Sequence, residues 1–153
     1  MVYDNNSGGE YAKYFVQTLQ EPADMGTPAF RALYAGFAKR ILWMDGDVVP
    51  GAFQMNTAWY AAVPARDPIF DVHAHDYDEL IGFFGSDPAE PYNLNAELEF
   101  TIEGEAHRLT RSTMIFVPGG LKHNPLRILR VDRPMFHFSV VMNPKYDGEE
   151  VYR

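Results

Sequence analysis

Short apolar segments broken by Gly and Pro turns run through this chain from Ala38 to Met142, and that punctuation limits the fold more than any other feature. The breakers include Asp45-Gly46, Pro64, Pro68, Asp87-Pro88, Pro91, Gly104 and Pro118-Gly119-Gly120. Between them no apolar pattern lasts long enough for an ordinary helix, and the segments are rich in aromatic and β-branched residues. The spacing predicts strands over 38–44, 53–62, 69–75, 79–84, 96–102, 106–110, 113–117, 126–131 and 135–142. The cleanest is 96–102, where Leu98, Phe100 and Ile102 share one face and Glu97, Glu99 and Thr101 the other. Glu103-Gly104 reads as a hairpin turn. A further strand over 13–19 and a short helix over 29–37 precede this series. Many short strands joined by such turns predict an all-β sandwich or small barrel.

The 153 residues suit one domain, over 13–144, with a polar arm at 1–12 and a polar tail at 145–153. The net charge of −8 disfavours nucleic acid and anionic lipid as partners. There is no cysteine, which excludes disulfides, thiolate ligands and a Cys nucleophile, and is compatible with the cytoplasm. The first ten residues lack the apolar core of a signal peptide, and no apolar run reaches membrane-spanning length.

The chemistry concentrates in Asp71-Val72-His73-Ala74-His75-Asp76-Tyr77-Asp78-Glu79. Residues two apart on a strand point to one face, so His73 and His75 can reach a common ion, and Glu79 shares their parity. Downstream, the turn Pro118-Gly119-Gly120-Leu121-Lys122 delivers a third imidazole, His123.

With these two motifs the sequence resembles the cupin superfamily. His73, His75 and Glu79 match its His-x-His…Glu motif, and Pro118, Gly120 and His123 match its Pro-x-Gly-x-x-His motif. The resemblance spans roughly residues 53–141. It implies a jelly-roll barrel, the double-stranded β-helix, with one ion held inside by three His and one Glu. Four positions depart from the pattern: Asp67 and Ser112 replace opening glycines, Gly85 comes one residue early, and Arg127 replaces an asparagine.

Three imidazoles and one carboxylate suit one divalent transition ion, Fe, Mn, Ni, Zn or Cu. The expected role is a metal-dependent enzyme acting on a small oxygenated or aromatic molecule. Its chemistry would be Lewis-acid (lyase, decarboxylase, isomerase) or O2-dependent dioxygenation. The alternative is a non-catalytic module that binds a small molecule. Tyr77, on the ligands' parity, and His137, in Phe136-His137-Phe138, are the candidate acid/base groups. Alternation favours the rings of 136 and 138 inside over His137, and Ile81, Phe83, Phe116, Phe136 and Phe138 are the expected pocket lining. Which parity of 53–62 faces inward is open. His107 reads as a surface residue, Asp76 and Asp78 as solvated turn residues, and Glu97 and Glu99 as a solvated face. Finally, Phe15, Val16, Leu33, Phe37, Ile41 and Trp43 exceed what a small barrel shelters. That excess predicts a homodimer in which the N-terminal strands cover the partner.

Overall fold

The computed structural model describes residues 9–143 and 145. Residues 1–8 of the arm expected over 1–12 and nearly all of the expected tail lie outside the described residues. One helix, α1 (Pro28–Ala35), precedes the strands. Thr27 caps it by accepting a hydrogen bond from Phe30 N at 3.1 Å, and Pro28 starts the first turn, where its missing N–H costs nothing. Phe30 is its buried residue and ties it to the core. No strand forms over 13–19. Ala12–Tyr14 make a single 3-10 turn, and Phe15 is 62% exposed. Residues 9–20 bury no side chain, so an extended conformation there would gain neither a core face nor a ladder.

Eight strands follow: β1 (Ala38–Met44), β2 (Gln54–Tyr60), β3 (Glu79–Gly85), β4 (Asn93–Ile102), β5 (Glu105–Arg111), β6 (Thr113–Val117), β7 (His123–Val131) and β8 (Met135–Val141). They form two antiparallel sheets, ordered β1-β2-β8-β3-β6 and β5-β4-β7. Neither sheet closes on itself, so the architecture is a two-sheet jelly roll and not the closed barrel expected. What joins the sheets is apolar packing: Leu94, Ala96, Leu98 and Phe100 of β4 belong to one buried cluster with Ala58, Tyr60, Ile81, Phe83 and Met135 of the larger sheet. The β4–β5 hairpin turns at Glu103 (φ 47°) and Gly104 (φ 80°), the left-handed pair that matches strand twist.

Three local outcomes differ from the sequence expectation. The segment 69–75 is not a continuous strand. It touches β7 through isolated bridges, Phe70 opposite Leu126 and His73 opposite His123, and Val72 points to solvent at 56% exposure. On β8 the alternation runs opposite to the preference for buried rings: Met135, His137, Ser139 and Val141 are inside. The interior beside β8 is already filled by Tyr60 of β2 and Phe83 of β3, and the flat imidazole of His137 packs against both rings, stacked at 4.6 and 4.9 Å. Phe136 and Phe138 therefore lie on the outer face, Phe136 against Trp59 and Phe138 over Gly82, where any Cβ would collide with its ring. Third, Phe37 and Trp43 are sheltered within the chain, at 2% and 3% exposure, while Phe15 stays exposed, so the chain itself absorbs only part of the apolar excess expected at its N-terminal side.

β1 carries a bulge that matters for the interior. Arg40 pairs with Ala58 and Leu42 with Thr57, leaving Ile41 as the extra residue. Strict alternation from Ala38 would send Trp43 outward. The extra residue resets the phase, so Arg40 and Trp43 face the same inner side as Ala58 and Asn56.

Candidate metal centre

His73 and His123 face each other across a reciprocal backbone pair, His73 N to His123 O at 3.0 Å and His123 N to His73 O at 2.9 Å. This pair sets their rings 4.2 Å apart, centroid to centroid. His75, two residues on, places its ring 5.6 Å from His73 and 4.9 Å from His123. Glu79 opens β3 in the other sheet, so the cluster spans the two layers. The turn that delivers His123 packs on the acidic turn before Glu79. Gly120 N donates to His75 O at 2.7 Å, and Gly119 N donates to Asp78 Oδ1 at 2.8 Å. A Cβ on Gly119 would meet Asp76 O at 2.7 Å, so this contact requires glycine. Asp78 is thus a tie between the two motifs and not merely a solvated turn residue.

One candidate ligand atom from each of His73, His75, Glu79 and His123 lies within 4.8 Å of the others. The Nδ1 atoms are committed outward: His75 to Tyr77 O at 2.8 Å, His123 to Leu121 O at 3.0 Å, and His73 to Asp71 O at 3.3 Å, with the Asn124 amide 3.4 Å away. With its proton on Nδ1, each ring turns an Nε2 lone pair inward, the tautomer that a metal site needs. Two Nε2 atoms converge on Glu79 Oε1, His75 at 3.1 Å and His123 at 3.7 Å. The second distance is too long for a hydrogen bond, and His123 Nε2 is buried without a partner. A buried, unpartnered nitrogen aimed at a carboxylate and two imidazoles fits one divalent ion, which these four residues would hold.

The electrostatics agree. Burial, reinforced by the charge of His123, holds the pKa of His73 down to about 4, so this ring is neutral at pH 7. Burial works to lower His75 as well, but the hydrogen bond and charge of Glu79 outweigh it and leave its pKa raised. For Glu79 burial works upward, and the imidazoles of His123 and His75 overcome it, holding the carboxyl at about 2. The site therefore keeps its carboxylate ionised throughout the physiological range.

Beside the cluster lies a cavity of about 60 Å³. His73, Glu79, Ile81, Phe83 and His137 line it, as do Arg40, Asn56 and Ser139. Of the expected lining, Ile81 and Phe83 are present, whereas Phe116, 60% exposed, lies on the outer face with Phe136 and Phe138. The inward parity of β2 is Gln54, Asn56, Ala58 and Tyr60. His137 donates from Nδ1 to Gly82 O at 3.1 Å, and burial holds its pKa at about 4, so it is a neutral imidazole with Nε2 as an acceptor. Tyr77 stacks flat on His75, with ring centroids 4.1 Å apart. His107 is exposed and paired with Glu105 at 2.8 Å. Glu97 and Glu99 lie on the outer side of β4 as expected, but as partners of Arg108, Arg127 and Arg130.

Sequence reasoning missed Arg40. It lies two residues from the inward Ala38 and ahead of the bulge, so alternation along β1 places it inside.

No family model and no curated protein matches this sequence. Solved structures do. A recombinant oxalate oxidase in complex with glycolate superposes with a TM-score of 0.51 at 14% identity, over 92% of this chain and 64% of that one. KdgF from Halomonas sp. gives 0.41 at 18% identity, over 72% of this chain and 79% of that one. An RmlC-like cupin from Shewanella frigidimarina gives 0.43 at 16%, over 73% and 80%. At 14% identity the likeness to the oxalate oxidase speaks for the fold alone.

Proposed function

We propose that this chain, a cupin-like fold with a His73/His75/Glu79/His123 cluster, is a metal-dependent enzyme acting on a small oxygenated molecule. The observation that carries the reading is the buried, unpartnered Nε2 of His123 beside a cavity with polar walls. A metal centre that adjoins a cavity can accept substrate, whereas a purely structural one is sealed. A bound divalent ion supplies Lewis acidity or, if redox-active, a means of using O2; lyase, decarboxylase, isomerase and dioxygenase chemistry all lie within this reading. Small size follows from the room available. About 60 Å³ takes a handful of waters at roughly 10–15 Å³ each, or a molecule of a few heavy atoms, and disfavours the aromatic substrates.

The chain's own residues divide the work. Ile81, Phe83, Phe70 and Leu126 give the cavity its apolar side. His137, fixed through Gly82 O, presents Nε2 as a proton acceptor in the cavity wall. Tyr77 is the second acid/base candidate; its stack on His75 also fixes that imidazole's plane. Elemental analysis of the purified protein, followed by turnover assays with small hydroxy and oxo compounds under air and under argon, tests the reading. One equivalent of metal with turnover supports it. Stoichiometric metal with tight binding and no turnover favours the binding module instead, and absence of metal defeats it.

The same reading includes a homodimer, on a different face from the one expected. The outer surface of the larger sheet carries Met55, Thr57 and Trp59 of β2, Leu80 and Phe84 of β3, Met114 and Phe116 of β6, and Phe136, Phe138 and Val140 of β8, with Lys39 of the edge strand β1 as a charge opposite Trp59. Two copies of a chain with net charge −8 repel each other over most of their surface. A largely apolar face without carboxylates is where a second copy meets least repulsion and gains most burial.

A further inference from the structure

Among the described residues Arg40 is the one Arg or Lys in the cavity wall, and its side chain is only 6% exposed. A buried guanidinium without a full set of acceptors is costly, so its surroundings say what it awaits. Its Nη1 donates to Asn56 Oδ1 at 2.8 Å. Nε lies 2.8 Å from Glu21 Oε2 but is not aligned for a hydrogen bond. Nη2 meets no partner among the described residues. The rings of Tyr34 and Trp43 flank the guanidinium carbon at 4.8 and 5.3 Å, holding its plane. The Asn56 amide is oriented by this bond. Its Nδ2 donates to Ser139 Oγ at 2.8 Å, so the serine accepts there and has its own proton left to give. Arg40 and Ser139 thus bring donors, and no unpaired acceptor, to a wall shared with the metal cluster.

We propose that Arg40, oriented by Asn56 and assisted by Ser139, binds the carboxylate of the substrate. The substrate is then a short organic acid carrying a further oxygen group. The inference rests on the enzyme reading for this site and narrows it to a chemical class. Glu21 pairs with Nε at 2.8 Å from its partly exposed side and leaves Nη2 for a second acceptor, and Glu79 is engaged by two imidazoles. A divalent ion in the cluster would tip the local balance of Arg40, Glu21 and Glu79 to net positive, which favours an anion. Planar guanidinium and carboxylate groups match in two parallel bonds, which lysine cannot reproduce.

The test is calorimetric titration of the full-length protein with malonate and glycolate, with ethylene glycol as the uncharged control. It is run on metal-stripped protein and on protein reloaded with Mn(II). Malonate or glycolate should bind both forms, and Arg40→Gln should weaken that binding roughly 10- to 100-fold without changing the response to ethylene glycol. Arg40→Lys should recover only part of the loss, and Ser139→Ala should show a smaller one. If Arg40→Gln does not fold, the Lys and Ala variants decide, and unchanged affinity in both overturns the anchor. Wild-type protein that takes up one equivalent of Mn(II) but neither acid also overturns it, while leaving the metal-enzyme reading intact. Arg40-dependent binding of the acids by a protein that takes up no metal does the reverse.

Discussion

Asp67 and Arg127 form a two-bonded ion pair, Nε to Oδ1 at 2.9 Å and Nη2 to Oδ2 at 2.8 Å. These residues are two of the four departures from the cupin motifs. The other two are also partners: Ser112 Oγ accepts from Gly85 N at 3.0 Å and donates to Pro91 O at 2.7 Å. Gly85 itself must lack a side chain, because Asn93 O occupies the space a Cβ would take. The departures are thus two compensating pairs, each tying a loop to a strand, and none is a ligand of the metal cluster. Arg127 draws the Asp67 carboxyl below its ordinary pKa chiefly through the hydrogen bond. If the pair acts as a unit, Asp67→Ala and Arg127→Ala each lower the melting temperature slightly, and the double variant falls less than their sum. Metal content is unchanged throughout. Thermal melts of the four proteins check this, and additive losses would mean that the pair is not coupled.

His75→Ala or His123→Ala should strip most of the bound metal. Each removes one of four protein ligands, a larger loss than the 10- to 100-fold that changes around the ligands alone produce. Glu97→Ala, on the outer side of β4, should retain it. Metal analysis after dialysis against a weak chelator reads both outcomes.

Acid should release the metal in a steep step that begins near pH 6. Ligation needs neutral imidazole, and the raised pKa of His75 means that protons compete for it already around the ordinary value near 6.5. His73, held to about 4, resists protonation until lower pH, and Glu79, held at about 2, does not contribute in this window. Bound metal followed against pH should show more than one proton taken up per ion released. Full retention at pH 4 would contradict the ligand set.

His137 makes stability depend on pH even in metal-free protein. Its folded pKa, about 4, lies below the unfolded value near 6.5, so the unfolded chain takes up the proton first. Its contribution is fully present above pH 6.5 and declines as pH falls toward 4, by on the order of 3 kcal/mol. Urea unfolding at pH 7.5 and 4.5 should show a smaller drop for metal-free His137→Gln than for metal-free wild type.

The outer sheet face predicts that Trp59→Lys combined with Phe116→Lys converts a dimer to a 17.4 kDa monomer in sedimentation, whereas deletion of residues 1–20 does not. A truncated chain that becomes monomeric, with the double variant still dimeric, would restore the N-terminal contact expected from the sequence.

The strands, their turns and the four clustered residues were legible in the sequence because each signal is local. Alternation over 96–102, left-handed Glu103-Gly104 and the His-x-His parity all follow from neighbouring residues. Tertiary structure decided what depends on distant partners. Whether 13–19 pairs, which face of Phe136-His137-Phe138 turns inward, and where a β-bulge resets the phase of β1 are settled by what already fills the interior and by which backbone edge is on offer. Tyr60 and Phe83 offer ring faces on which a flat imidazole stacks, so His137 enters and Phe136 and Phe138 stay outside. Trp43 turns to the same inner side as Arg40 because Ile41 is extra to the pairing with β2. Side-chain period determines which residues share a face only along an unbroken strand. The assembled core determines which face is buried.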